Sequence, residues 1–560
     1  MGFCIGRVLK NDHGSDRLML SACCKHFTAY DLEKWGQFTR YNFNAVVTDQ
    51  DMADTYQPPF RSCIQQGKAS CLMCSYNGVN GIPACANHDL LQKARTEWGF
   101  RGYITSDCDA VATIYEDQKY TKTPEDAVAS ALKAGTDINC GTYMLRHTKS
   151  AIEKGKVSEG DIDRALFNLF SVQLRLGLFD GALAINQFRN LGPLDVCNSE
   201  HKKLALEAAR QGIVLLKNDQ KYLPLDKHSI SSLAIIGPLA NSTNLGGGYT
   251  GVPCELKSIL EGFQEHVENI YYAAGCKDIP CNSSSGFAEA LSIAREAEYT
   301  ALVTAVASLS QKPLILVLTG GGPIDVSFAD GDPRIASILW IGYPGETGGR
   351  ALSDIIFGHY NPGGRLPMTW YPESFTNVPM SDMNMRADPS HNYPGRTYRF
   401  YTGDRLYGFG YGLSYTSFTY KILAAPSRLS LRGFIKDEPQ RNVLSERSNA
   451  VDYILVDEVE YCNSLRFHVQ ISVTNNGDMD GSQVVLLFSR ASKSFKGSPE
   501  RQLIGFERVH TQSRGIAATS FYVDPCEHLS IADEHGNRIL PMGDHILILE
   551  DIEHAVSIET

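Results

Sequence analysis

Over its first third the chain repeats one phrase: an apolar run of strand length ends in polar residues and gives way to a segment of helix length. The runs are LSACCKHF (20–27), ASCLMCSY (69–76), RGYITSDC (101–108) and GTDINC (135–140). The helical stretches that follow are TDQDMADTYQPPFRSCIQQ, NHDLLQKARTEW, TPEDAVASALKA and RHTKSAIEKGK. In the third, Thr123 or Pro124 can open the helix, with Glu125 and Asp126 in the first turn, where negative charge suits the helix dipole. Strands alternating with helices predict a parallel sheet with functional groups at its C-terminal strand ends, here a partial β/α barrel over residues 1–185.

A second α/β block spans 204–423. SLAIIG (232–237), PLILVLTGG (313–321) and SILWIG (337–342) are apolar runs ending in glycine, the pattern of a doubly wound sheet. Its clusters GGG (246–248) and GGG (320–322) form neither G-x-G-x-x-G nor a Walker sequence, which favours close-packed turns over phosphate loops. From 450 to 557 the period changes to two. FHVQISVTNNGDMDGSQVVLLFS (467–489), IAATSFYV and DHILILED alternate around Asn-Gly and Asp-Gly turns, which predicts an antiparallel β-sandwich. Residues 424–450, rich in Ser, Arg, Pro and Asn, read as a linker or long loop.

Composition narrows the function. At 560 residues the chain needs several cores, and 43% hydrophobic with 21% charged residues is ordinary globular composition. A net charge of −11 without Lys/Arg-rich runs argues against nucleic-acid partners. No apolar run approaches the roughly 20 residues that cross a bilayer, and the opening MGFCIGRVLKNDHG lacks the apolar centre of a signal peptide. The residues therefore predict neither a membrane nor an address.

The 15 cysteines are an odd number. Cys23, Cys24, Cys71 and Cys74 sit singly in apolar runs and read as buried thiols rather than disulfides. Cys254, Cys276 and Cys281 lie in a Gly/Ser/Asn-rich stretch beside the glycosylation acceptors Asn241 and Asn282, which suits a secreted glycoprotein. No C-x-x-C pair stands at zinc spacing from histidines, so neither a structural metal nor a cofactor is expected.

The chemistry-bearing residues collect at the first block's strand ends: Lys25 and His26, Tyr76 with Asn77, and Asp107 with Asp109. Neighbouring strands would converge them on one pocket. A carboxylate among a lysine, a histidine and a tyrosine, with Trp35 or Trp98 to stack on a ring face, suits a sugar site. The competing structural readings are a solvated turn for Lys25-His26, a core tyrosine with a bonded hydroxyl for Tyr76, and a helix cap for Asp109, the last being favoured. Asp107 resists such a reading, because an unpaired carboxylate directly after an apolar strand is costly unless it is used. A strand followed by D-x-D-x-V also opens haloacid-dehalogenase-type phosphatases. There Asp107 would attack phosphorus and Asp109 act as acid/base beside magnesium, but no later strand offers the paired acids that would hold the metal.

CCKHFTAYDLEKW, MCSYNGVNGIPACA, GFRGYITSDCDAV, GPIDVSFA, GYPGETGG, FGHYNPGGRLPMTWYP, YPGRTYRFYTG and FGYGLSYTSFTY together resemble family 3 glycoside hydrolases, in the plant β-D-xylosidase / α-L-arabinofuranosidase branch. The resemblance implies a TIM-type barrel, an α/β sandwich and a fibronectin type III-like domain. It implies a retaining double displacement on β-1,4-xylo-oligosaccharides and α-L-arabinofuranosides of cell-wall xylan, outside the cell, without cofactor or metal. Asp107 falls on the nucleophile, and Lys25, His26 and Tyr76 on positions lining the sugar subsite.

Two departures accompany the match. Relatives carry a longer N-terminal portion before CCKHF, which the first twenty or so residues here do not resemble. They also supply the acid/base glutamate from a loop of the second domain, after a strand that the joint near Tyr299 and Thr300 would remove together with the loop. Glu296 and Glu298 precede that strand and align with helix. An impaired glycosidase is therefore the leading expectation, with a non-catalytic carbohydrate-binding or interaction protein as the alternative. Oligomeric state is not legible.

Overall fold

The computed structural model describes residues 16–181, 191–278, 281–297, 299–302, 313–436, 452–493 and 495–560. In the first block β1 (Cys23–Phe27), β2 (Cys71–Cys74) and β3 (Tyr103–Ser106) form a parallel sheet in that order. Phe27, Leu72, Cys74 and Ile104 are fully buried between the strands and the helices that cover them. The expected fourth strand is not formed, and residues 135–140 make a single parallel bridge from Ile138 to Thr105. The Asp137 carboxylate accepts from Ile104 N–H at 2.8 Å and pairs with Arg95 at 2.7 Å, so a side chain occupies the edge donor a ladder would use.

The helices are α1 (Pro58–Gln65), α2 (His88–Thr96), α3 (Ala110–Glu116), α4 (Pro124–Ala134), α5 (Tyr143–Glu153) and α6 (Glu159–Arg175). Thr123 caps α4 by accepting from Asp126 N–H, with Pro124 in the first turn, as its sequence predicts. The stretch 48–66 breaks into Asp49–Asp51, a wider turn Met52–Tyr56, and α1, because Pro58 and Pro59 cannot donate within a continuing helix.

The second block is a six-stranded sheet of β4 (Val214–Asn218), β5 (Leu233–Ile236), β6 (Ile270–Ala273), β7 (Tyr299–Leu302), β8 (Leu314–Leu318) and β9 (Ile335–Trp340), ordered β6-β5-β7-β8-β9-β4. All pairings are parallel except β9 with β4. The expectation that a strand is lost at the Tyr299/Thr300 joint needs correction. Tyr299–Leu302 pairs with β5 on one side and β8 on the other, filling a central position whose backbone groups would otherwise be buried without partners. Residues 303–312, where the acid/base loop would fall, lie outside the described residues, as does Glu298.

Helices α7 (Ser199–Gly212), α8 (Ile259–Gln264), α9 (Phe287–Glu296) and α10 (Gly348–Ile356) belong to this block. Apolar cores lie on both faces of the sheet, one around Ile235, Ile315 and Phe263 and one around Ile236, Leu316 and Trp370. Both glycine clusters turn against one ring. A Cβ at Gly247 would stand 3.3 Å from Tyr343, and one at Gly321 only 2.9 Å from it.

The C-terminal domain packs a three-stranded sheet, in the order Phe418–Ala424, Phe467–Asn475, Ile516–Val523, on a five-stranded one, in the order Arg428–Ser430, Ile552–Glu559, Gly543–Leu549, Gly481–Ala491, Gln502–Thr511. The strands flanking NNGDMDG are not a hairpin but cross between sheets, and the buried Asn475 amide holds the crossing by bonding Met479 O and Thr511 O. The stretch read as a linker includes the edge strand Arg428–Ser430, while 437–451 lie outside the described residues.

The cysteine reading is overturned. Disulfides join Cys23–Cys71, Cys24–Cys63, Cys74–Cys85, Cys108–Cys140, Cys197–Cys254, Cys276–Cys281 and Cys462–Cys526, and no described cysteine is free. Parallel register sets Cys23 opposite Cys71, so each thiol that packs as a lone hydrophobe in sequence meets a second one in space. Between the domains, Arg386 pairs with Asp51 and, at 2.5 Å, with Asp54, which Arg399 reaches at 3.3 Å. Gln50 donates to Ala532 O at 2.7 Å, tying the same stretch to the sandwich.

Candidate active site

Strand β3 ends at Ser106, and Asp107 stands at its C-terminal edge with its backbone N–H on Cys74 O, 2.9 Å away. One carboxylate oxygen, Oδ1, accepts from Cys108 N–H at 2.7 Å, while Oδ2 faces His26 Nε2 at 3.2 Å. The carboxylate is thus oriented, and among the described residues no lysine or arginine pairs with it. Burial lowers the pKa of the His26 imidazole from its ordinary value by more than the Asp107 carboxylate raises it.

Tyr76 is buried and its hydroxyl donates to Cys108 O at 2.8 Å, so a core position and a place beside the carboxylate coincide in one residue. Burial first, then Asp107, raise the pKa of that hydroxyl, which stays a neutral donor. The Lys25 ammonium lies 4.9 Å from the centre of the Tyr249 ring, bringing the second domain to the mouth of the first. Asn77 lies behind the site, its amide spent on Thr28 O, Ala29 O and Gly78 O.

Asp109 is not the cap its sequence suggests. It occupies the N-cap position of α3 at φ 60° without a side-chain cap bond, and its Oδ1 instead accepts from Thr142 N–H at 3.2 Å. The Cys108–Cys140 disulfide lies between the two aspartates and fastens this loop to the one after residue 135. Gly141 completes the seat. At φ 115° it leaves room for Asp109, whose Oδ1 would stand 2.1 Å from any Cβ placed there.

Trp98 is buried against Phe27 and offers no free face, whereas Trp35 packs at the edge of a separate cluster. The aromatic wall that does form is Tyr30, Tyr41 and Tyr76, in edge contacts with centroids 6.2 and 5.1 Å from Tyr76. The Arg40 guanidinium lies 4.9 Å from both the Tyr41 and Tyr76 rings and donates to Tyr41 Oη at 2.8 Å. Glu33 accepts from Tyr30 Oη at 2.5 Å. Sequence reasoning missed Tyr30, Arg40 and Tyr41 because they lie in irregular chain after β1. The adjacent Arg40-Tyr41 pair is the signal that was available.

A strand-end carboxylate walled by hydroxyl and cationic donors places the protein among enzymes that work on polyhydroxylated rings. Family models match residues 11–172 (glycosyl hydrolase family 3 N terminal domain), 213–307 and 298–415 (glycosyl hydrolase family 3 C-terminal domain) and 483–551 (fibronectin type III-like domain). The first match begins before CCKHF, so part of the opening stretch judged unlike the family belongs to it. Over 573 residues the chain is 60% identical to Probable beta-D-xylosidase 6 of Arabidopsis thaliana, covering 97% of this chain and 72% of that protein. It is 44% identical over 587 residues to Beta-xylosidase/alpha-L-arabinofuranosidase 2 of Medicago sativa subsp. varia, covering 100% and 74%. A solved GH3 exo-beta-xylosidase, XlnD, in complex with a xylobiose aziridine activity based probe, superposes with a TM-score of 0.86 at 31% identity, covering 98% of this chain and 73% of that one. The chain belongs to glycosyl hydrolase family 3. Its fold is the family's N-terminal domain, α/β domain and fibronectin type III-like domain, and the phosphatase reading of Asp107 and Asp109 falls with that assignment.

Proposed function

We propose that this chain is a retaining glycosidase for β-1,4-xylo-oligosaccharides and α-L-arabinofuranosides, with Asp107 as nucleophile. The observation that carries the reading is the Asp107 carboxylate, held through Oδ1 by Cys108 N–H and open through Oδ2 beside His26. A carboxylate oxygen bonds the anomeric carbon as the glycosidic C–O bond breaks. Water then replaces the carboxylate and returns the free sugar. Lys25, His26 and Arg40 supply donors for the sugar hydroxyls, and Tyr76 Oη, whose proton is held by Cys108 O, offers an acceptor.

The leaving oxygen needs a proton, and the glutamate that would give it falls in the stretch this chain lacks. Support comes from the α/β-domain match, which divides into two pieces overlapping at 298–307, and from the 587-position alignment against a chain of 560 residues. Glu296 closes α9, where it accepts from Ser292 Oγ, and takes no part. Turnover of natural xylosides, whose alkoxide leaves poorly, should fall by about 10²–10⁴-fold relative to a complete site. The same gap favours the second reading, a sugar-binding protein without turnover. The disulfides and the exposed Asn241 and Asn282 support a secreted glycoprotein of the cell wall. Among the described residues no helix is long and apolar enough to cross a membrane.

Dinitrophenyl xyloside, whose leaving group needs no proton, separates the readings. The proposed glycosidase releases a burst of dinitrophenol, and azide restores turnover by attacking the glycosyl-enzyme to give the xylosyl azide. A folded chain that binds xylobiose but gives neither burst nor azide product is the binding protein.

A further inference from the structure

We propose that His266, Asp354 and His359 form a binding site for one transition-metal cation of the zinc class, on the helical face of the α/β domain. Their ligand atoms all lie within 4.8 Å of one another, and none of the three belongs to the Asp107 pocket. Asp354 Oδ1 stands 4.0 Å from His266 Nε2 and 3.8 Å from His359 Nδ1. Both gaps are too long for hydrogen bonds, yet side-chain shifts of about 1 Å would bring three atoms to the ~2.0–2.2 Å at which zinc takes nitrogen and carboxylate oxygen. Two imidazoles and a carboxylate are a donor set that zinc prefers and that magnesium and calcium do not.

The surroundings are built for such a role. Asp354 is buried, and its other oxygen is held by Arg210 Nε at 2.9 Å and Nη2 at 2.5 Å, which fixes the carboxylate with Oδ1 turned towards the imidazoles. His359 and Tyr360 donate their backbone N–H groups to Asp354 O at 2.7 and 3.0 Å, so the turn after α10 places the second imidazole. His266 follows α8 and rests on the Phe357 ring, 5.4 Å between centroids. Its Nε2 is buried and has no hydrogen-bond partner, a cost that a metal bond would remove. Packing alone explains the Arg210–Asp354 pair but leaves that nitrogen unexplained. A bound cation would join the ends of α8 and α10, with water completing the coordination. The zinc-spacing rules that predict no metal see only ligands close in sequence, and these three are brought together by the fold.

The test is titration of the chelator-treated full chain with zinc chloride and, separately, cobalt chloride. One cation per chain, a raised Tm and visible cobalt absorption bands are expected, with no response to magnesium. His359→Ala, at a partly exposed position, should weaken uptake at least ~10-fold and abolish the cobalt bands while leaving the chelated protein's Tm and near-UV circular dichroism unchanged. Absence of stoichiometric uptake overturns the proposal, as does uptake that persists within about threefold in both His359→Ala and His266→Ala.

Discussion

His26 Nε2 lies 3.2 Å from Asp107 Oδ2, and burial lowers the imidazole's pKa despite that carboxylate. A cation in this place would quench the proposed nucleophile, whereas a neutral ring orients it. Asp107→Ala should therefore abolish the dinitrophenol burst, and Asp109→Asn should leave most of it. Rapid-quench measurement on both variants checks this, and a burst surviving Asp107→Ala would remove Asp107 from its role.

The same relationship sets a pH dependence. Because the folded pKa of His26 is lowered, the imidazole stays neutral as pH falls through the ordinary histidine value and becomes a cation only below it. The burst rate should hold as pH falls through the ordinary histidine value of about 6.5 and decline on further acidification. In His26→Gln the residual burst should lose this limb.

The loop between Asp107 and Asp109 depends on the Cys108–Cys140 bridge. Its loop spans a sequence separation of 32 residues, for which closure contributes about 3–4 kcal/mol. Replacing both cysteines with serine should lower the midpoint of urea unfolding and reduce the burst amplitude. An unchanged amplitude in the folded double variant would show that the bridge only stabilises.

Stability should also fall in mild acid. His528 Nδ1 accepts from Asp524 N–H at 2.9 Å and His545 is buried against Pro541 O at 2.8 Å, and burial lowers both pKa values below the ordinary 6.5. As pH drops through the unfolded value, the unfolded chain takes up protons that the folded chain refuses. Stability is therefore complete above about pH 6.5 and lost progressively towards the folded pKa values. His528→Gln should flatten the slope of Tm between pH 7 and 5.

At the domain junction, Arg386→Met leaves Asp51 buried without its cation and removes one of Asp54's. Breaking such a pair typically costs about 3–5 kcal/mol, and adding Asp51→Asn should restore part of it. Calorimetry of the single and double variants measures both effects.

The periodicities carried most of the architecture. Apolar runs became strands at β1, β2, β3, β5, β8 and β9, because each is long enough to pair, and all but β1, where Lys25 is exposed, are largely buried on both faces. GTDINC failed as a strand because Asp137 competes with the backbone, a choice that depends on Arg95 from another helix. The placement of His26, Tyr76 and Asp107 near one another at the strand ends was legible because those ends converge by topology alone. Tyr30, Arg40 and Tyr41 were not, since no periodicity orders the chain that carries them. The cysteines misled for a related reason: burial is a property of one residue, but a disulfide is a property of register.

Gly141 has no side chain, yet the space it leaves is where the Asp109 carboxylate sits, one residue beyond the bridge that fastens the Asp107 loop. A natural allele encoding even alanine at this codon would force Asp109 aside and draw Cys108 with it. Such a variant would score as a loss of function, although the altered residue brings no chemistry of its own to the reaction.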